Sequence, residues 1–217
     1  PDTDDQNKST SGEHLAEIIS TEVLAEVSAS EYLVIGFSTE GGEMGISVES
    51  SNEVTLMEMI GGGNIIATSN PISTQHNETI NSIQTSLPLG TYTLLVMGDE
   101  SPKTTSVKLT KTVGSAGKFK LFSTRALSTI GTPLTQNIEI AGNGTAKIFA
   151  YAQGTQTLEN FGISNSLNDP ELQVFSRPAS GGSWTPTASN DNWADSPQAS
   201  DLQSMSTFNL QSKESGV

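Results

Sequence analysis

The sequence has no cysteine and only two histidines, His14 and His76, in 217 residues. Without cysteine, neither disulfides nor thiolate metal sites can form, and both redox compartments stay open. Neither histidine has a partner at zinc-ligand spacing, and a serine triad would lack a base held by a carboxylate. There is no Gly-x-Ser-x-Gly elbow. Gly61-Gly62-Gly63 lacks the Lys-Ser/Thr and the following helix of a phosphate loop. No enzyme is expected. No apolar run approaches the roughly 20 residues needed to span a bilayer, and no basic-plus-apolar signal segment is present, so membrane insertion is not expected. The chain begins at Pro1 rather than Met, which suggests a processed or partly observed mature protein.

Positive charge is scarce where negative charge is dense. Residues 1–100 hold sixteen acidic residues against Lys8 alone, whereas residues 101–217 hold eight acidic and nine basic ones. The net charge of −14 therefore falls on the first half. Such a surface repels phosphate, so nucleic acid is not an expected partner. Six of the ten cations fall between residues 103 and 125: Lys103, Lys108, Lys111, Lys118, Lys120 and Arg125. They read either as solubilising charge or as a basic belt that attracts the acidic half of a neighbouring copy.

What the sequence does contain is an internal echo. Ile19-Ser20-Thr21-Glu22-Val23-Leu24-Ala25-Glu26-Val27 returns as Phe122-Ser123-Thr124-Arg125-Ala126-Leu127-Ser128-Thr129-Ile130, and Ala67-Thr68-Ser69-Asn70 as Thr187-Ala188-Ser189-Asn190. Ile138–Ile140 answers Ile35–Phe37 at an offset of 103 residues. Short apolar runs bounded by Gly, Ser, Asn or Glu recur along the chain, as in a β-sandwich. The strands expected in the first half cover 14–27, 32–37, 45–48, 54–60, 65–68, 80–86, 91–97 and 105–109. The fold class is therefore all-β: two tandem antiparallel β-sandwich domains of jelly-roll or Ig-like type. The expected boundaries are a polar acidic tail at 1–13, a first module at 14–111, a short linker at 112–118 and a second module at 119–217. The second module lacks a counterpart of residues 87–96 and reads as missing its closing hairpin.

Leu87-Pro88-Leu89-Gly90-Thr91-Tyr92-Thr93-Leu94-Leu95-Val96 resembles the closing hairpin of bacterial pre-peptidase C-terminal-like β-sandwich domains, in which a Pro/Gly turn feeds a Tyr-containing strand. The second half resembles a related tandem repeat of large secreted bacterial surface proteins. It carries Phe122-Ser123-Thr124-Arg125, Asn160-Phe161-Gly162-Ile163, Asp169-Pro170-Glu171-Leu172 and Ser189-Asn190-Asp191-Asn192-Trp193. The first half lacks the Asp-Pro entry and the Asn-Asp-Asn-Trp cluster, and the second lacks the Gly-Thr-Tyr hairpin. The resemblance implies an extracellular or cell-surface, non-catalytic role, and a fold alone names no ligand.

Two candidate sites follow. Asn190, Asp191, Asn192 and Asp195 offer oxygen ligands at short spacing, which suits Ca2+, although the spacing is not that of an EF-hand. The alternative is that these residues tie a turn while Trp193 plugs the core edge. Trp184 and Trp193 form either a sugar-stacking platform or ordinary packing. The second site concerns assembly. A sandwich short of its last strands exposes an open sheet edge, and a neighbouring copy can donate a strand to it, with Leu15, Ile18 and Ile19 as plugs. Truncation of a longer protein is the other explanation of the gap. Asn7, Asn77 and Asn143 satisfy the glycosylation sequon, as chance allows in a chain rich in Asn, Ser and Thr. The expected function is a structural protein that self-associates head-to-tail into an extracellular filament or layer. The alternative is an accessory module that binds carbohydrate or protein, with or without Ca2+.

Overall fold

The computed structural model describes residues 16–28, 32–51, 54, 56–69, 82–98, 100–126, 133–143, 147–205 and 211–216. The chain divides into two compact units, Pro1–Thr145 and Ala146–Val217.

The first unit is a ten-stranded β-sandwich. Its strands are β1 (Glu17–Val27), β2 (Leu33–Glu40), β3 (Met44–Ser50), β4 (Leu56–Gly61), β5 (Asn64–Ser69), β6 (Ser82–Leu87), β7 (Gly90–Met97), β8 (Lys103–Lys111), β9 (Lys118–Arg125) and β10 (Thr135–Ala141). One sheet has the order β10-β1-β8-β3-β6 and the other β5-β4-β7-β2-β9. Every neighbouring pair is antiparallel.

Alternation makes these strands. In β2, Leu33, Ile35, Phe37 and Thr39 are buried, and the residues between them are half-buried. In β8, Thr105, Val107 and Leu109 point inward in the same way. A strand's side chains alternate faces, so each strand sends one apolar row into the space between the sheets. Val23, Leu33, Ile35, Phe37, Met44, Met57, Met59, Leu94, Val96 and Leu109 meet there and form one core. Full burial of such a side chain contributes about 1.5–3 kcal/mol. The β4–β5 hairpin turns on Gly62 and Gly63, at φ 58° and 80°, between the paired residues Gly61 and Asn64. A two-residue turn that needs two positive φ angles is where glycine is required.

The segment from β6 to β7 corrects the expected hairpin. β6 ends one sheet and β7 lies in the middle of the other, so Leu87–Gly90 is a corner between sheets. It is fastened by hydroxyl groups. The Tyr92 phenol donates to the Pro88 carbonyl (2.7 Å), and Thr39 Oγ1 donates to the same oxygen (2.9 Å). The Gly90 N–H donates to Thr39 Oγ1 (3.1 Å). Tyr92 also stacks on Phe37, with ring centroids 5.5 Å apart. Burial pushes its phenol pKa above the usual value.

The expected boundary at 112–118 is also corrected. This stretch is stitched to the start of β3. The Thr112 N–H donates to the Gly45 carbonyl (2.8 Å), the Gly45 N–H to Ser115 Oγ (3.0 Å) and the Gly117 N–H to the Glu43 carbonyl (3.0 Å). Gly117 sits so close that a Cβ there would stand 2.5 Å from that of Met44. β9 and β10 then complete the first unit: β9 pairs with β2, and β10 with β1. The echo that begins at Ile19 and Phe122 thus falls on strands of a single sandwich, since β1 is interior to one sheet and β9 ends the other, whereas that of Ala67 and Thr187 falls on β5 of the first unit and residues 187–190 of the second. Strands of one composition look alike whichever sheet they enter.

The second unit is not a second sandwich among its described residues. It has two ribbons, β11 (Tyr151–Ala152) with β14 (Ser215–Gly216) and β12 (Leu172–Ser176) with β13 (Thr185–Asn190). It also has two short helices, α1 (Thr155–Leu158) and α2 (Ala199–Met205). β12 alternates half-buried and exposed residues over Leu172–Phe175. Helix α2 was not expected. It anchors through Leu202, which is 2% exposed.

Candidate assembly and binding sites

The lysines read as an intermolecular belt are divided between the two sheets, and four of the five are set against acids of their own unit. Lys103, Lys108 and Lys111 lie on β8, and Lys118 and Lys120 on β9. Lys111 Nζ donates to both carboxylate oxygens of Glu17 (3.1 and 3.2 Å), with only 8% of its side chain exposed. Lys108 stands opposite Glu22 on one side and Glu49 on the other. Lys120 pairs with Glu40 at 3.4 Å, and Lys118 sits opposite the same residue in register. Lys103 faces Val27. Cross-strand opposite-charge pairs of this kind hold neighbouring strands together.

The expected donor residues are likewise placed. Ile18 and Ile19 belong to β1, which is already paired on both sides, with β10 and β8. Ile18 packs against the core, and Ile19 is the extra residue where the β1–β10 register shifts. From Ser20 onward β1 is hydrogen-bonded along both edges, and there it has no free edge to donate. Leu15 lies outside the described residues, as do His14, His76, Asn7 and Asn77. Asn143 is described and exposed.

The Asn190–Asp195 cluster works as a fastening. Asn190 Oδ1 accepts from the Gly216 N–H (3.1 Å), tying the end of β13 to β14. Asn192 Nδ2 donates to Asp191 Oδ2 (3.4 Å), and the Asp195 N–H donates to the Asn192 carbonyl (2.9 Å). Trp193 donates its backbone N–H to the Glu214 carbonyl (2.7 Å) and its indole N–H to the Gln211 carbonyl (2.9 Å). Asn190 and Asp195 line one groove of about 480 Å³, together with Lys147, Asp201 and Leu202. Lys147 bridges that groove to Asp201 at 2.7 Å. Among the described residues, no three His, Asp or Glu side chains stand close enough to share a metal ion.

Sequence reasoning missed three features. Glu214 is 1% exposed, and its carboxylate accepts from two backbone amides, Gln211 N–H (2.8 Å) and Gly154 N–H (3.4 Å). It secures the 211–216 segment against the start of α1. Nothing in Ser212-Lys213-Glu214-Ser215-Gly216 signals burial. The second feature is an exposed aromatic contact: the Arg177 guanidinium lies 4.5 Å from the centre of the Trp184 ring, beside the β12–β13 ribbon. Trp184 is 48% exposed and Trp193 half-buried, so the two tryptophans have different surroundings. The third is the β10 edge. Its Ile138 and Ile140 remain 37% and 38% exposed. An Ile-Glu-Ile alternation is legible in the sequence, but which strand ends the sheet is not.

Comparison with protein-family models, with curated proteins and with solved structures finds no match. The likeness to pre-peptidase domains therefore rests on the short segments quoted above.

Proposed function

We propose that the protein is a non-catalytic structural module of a secreted bacterial surface assembly, and that it self-associates through a sheet edge. The supporting observation is the condition of the strands that end the sheets. Ile65 and Ile66 on β5 and Ile138 and Ile140 on β10 stand open to solvent. A sheet-ending strand offers a row of backbone N–H and C=O groups to another chain, and apolar side chains beside it add area to bury. The placement outside the cell rests on the resemblance of residues 87–96 and of the short segments quoted from the second half.

Light scattering on the purified chain tests this reading. Because each copy carries a charge of −14, association is expected to strengthen as salt rises from about 50 to 500 mM and the repulsion is screened. Negative-stain images at the higher salt then separate closed oligomers from filaments. A single monomeric species throughout that range would overturn the reading.

A further inference from the structure

We propose that two copies of the chain join through β10, paired antiparallel about a two-fold axis at Ile138, so that the sheets containing β10 become one sheet across both copies. This rests on the self-association proposed above and assigns its surface.

Four strands end the sheets of the first unit among the described residues: two of them, β9 and β5, carry a bulge, and a third, β6, has neither charge nor bulge but leaves no apolar side chain exposed. β9 carries Lys118, Lys120 and Arg125, and an extra residue where the register shifts between Ser38 and Thr39. β5 has an extra residue where its register with β4 shifts between Met59 and Ile60. β6 buries Ile83 and Leu87 and shows only polar side chains such as Gln84 and Ser86. Charges, lysine above all, and bulges are the usual means of keeping a strand edge from pairing.

β10 has neither. In its pairing with β1 the extra residue lies on β1, so β10 itself runs seven residues without interruption. Its one charge, Glu139, is held by the Ser20 hydroxyl at 3.0 Å. Ile138 pairs with Thr21, which is fully buried, so Ile138 and Ile140 belong to the inner face and are open at its flank.

The strand is complementary to itself in one register. A two-fold axis at Ile138, the middle of Thr135–Ala141, pairs all seven residues. It sets Ile138 against the same residue of the second copy, Glu139 against Asn137, Gln136 against Ile140 and Thr135 against Ala141. An axis at Glu139 would oppose two carboxylates, which is unfavourable, and would leave two residues unpaired. Because the contact uses one patch on both copies, it closes as a dimer, and a longer assembly needs a second surface.

The test uses the absence of native cysteine, because any disulfide then reports only the introduced position. Opposed residues of an antiparallel pair have Cα atoms about 4.5–5.5 Å apart, within disulfide reach. Under mild oxidation, Ile138→Cys is expected to yield a covalent dimer. Asn137→Cys and Glu139→Cys are each expected to yield little alone and a heterodimer when mixed. Ile138→Lys is expected to shift the protein to a monomer that still melts cooperatively, at the Tm the parent shows when diluted to monomer, which separates loss of pairing from loss of fold. A dimer by light scattering in which Ile138→Cys does not cross-link, or in which all three single variants cross-link equally, overturns the β10 register and leaves self-association standing. A monomer at every salt concentration overturns both.

Discussion

Tyr92 shows how one side chain can hold a change of sheet. Its ring fills the core against Phe37 while its hydroxyl reaches back to the Pro88 carbonyl, four residues upstream. Tyr92→Phe keeps the ring and removes that bond, at an expected cost of about 1 kcal/mol. The cost stays modest because Thr39 still donates to the same carbonyl. The phenol also carries a pH dependence. Burial favours its neutral form and raises its pKa above the ordinary 10.0. Its contribution is therefore complete below that value and is lost as pH rises through the raised folded-state pKa. Urea unfolding between pH 8 and pH 11 or so should show a shallower alkaline loss for Tyr92→Phe than for the parent. The Pro/Gly turn and the Tyr-bearing strand were legible in the sequence. The pairing of that strand was not, because Leu87–Gly90 is compatible with a hairpin or a corner until the neighbouring strands are placed.

At the scale of elements, alternation did most of the work. β2, β7 and β8 stand where short alternating runs put them. Helix α2 was overlooked although its signal is present. Ser196-Pro197 is a cap residue followed by a residue suited to the first helical turn. Ser196 Oγ accepts the Gln198 N–H (3.2 Å), and its carbonyl accepts the Ala199 N–H (3.0 Å). The close of the second unit was illegible for a different reason. Glu214 is buried by what folds over it, and a local polar sequence carries no record of that. Glu214→Ala would remove the acceptor of the buried Gly154 amide and a bond from the half-buried Gln211 amide, at an expected cost of about 1–3 kcal/mol. Hydrogen exchange should register it as faster exchange of those two amides, while the core strand β8 of the first unit keeps its protection.

At the scale of the whole molecule, the domain boundary separates two accounts of the chain. If residues 14–111 were a finished module, a fragment ending at 111 would fold. In the structure that fragment lacks β9 and β10, and with them Phe119, which is 6% exposed and meets Phe37 edge-on at 5.8 Å. A fragment of residues 1–145 is expected to melt cooperatively, whereas residues 1–111 are expected to melt without a sharp transition, as circular dichroism would report. The echo that suggested two modules reflects a small vocabulary of Ser, Thr and β-branched residues. Topology decides how often that vocabulary is reused within one core.

The interior position of β1 has a consequence for biosynthesis. Its hydrogen-bonded neighbours are β8 and β10, and Ser20 meets Glu139 across 119 residues of chain. During translation the earliest strand must wait, unpaired, until nearly all of the sandwich has been made. Loops that long must close before any of their contacts reward it, which places folding in the slow, millisecond-to-second class of β proteins.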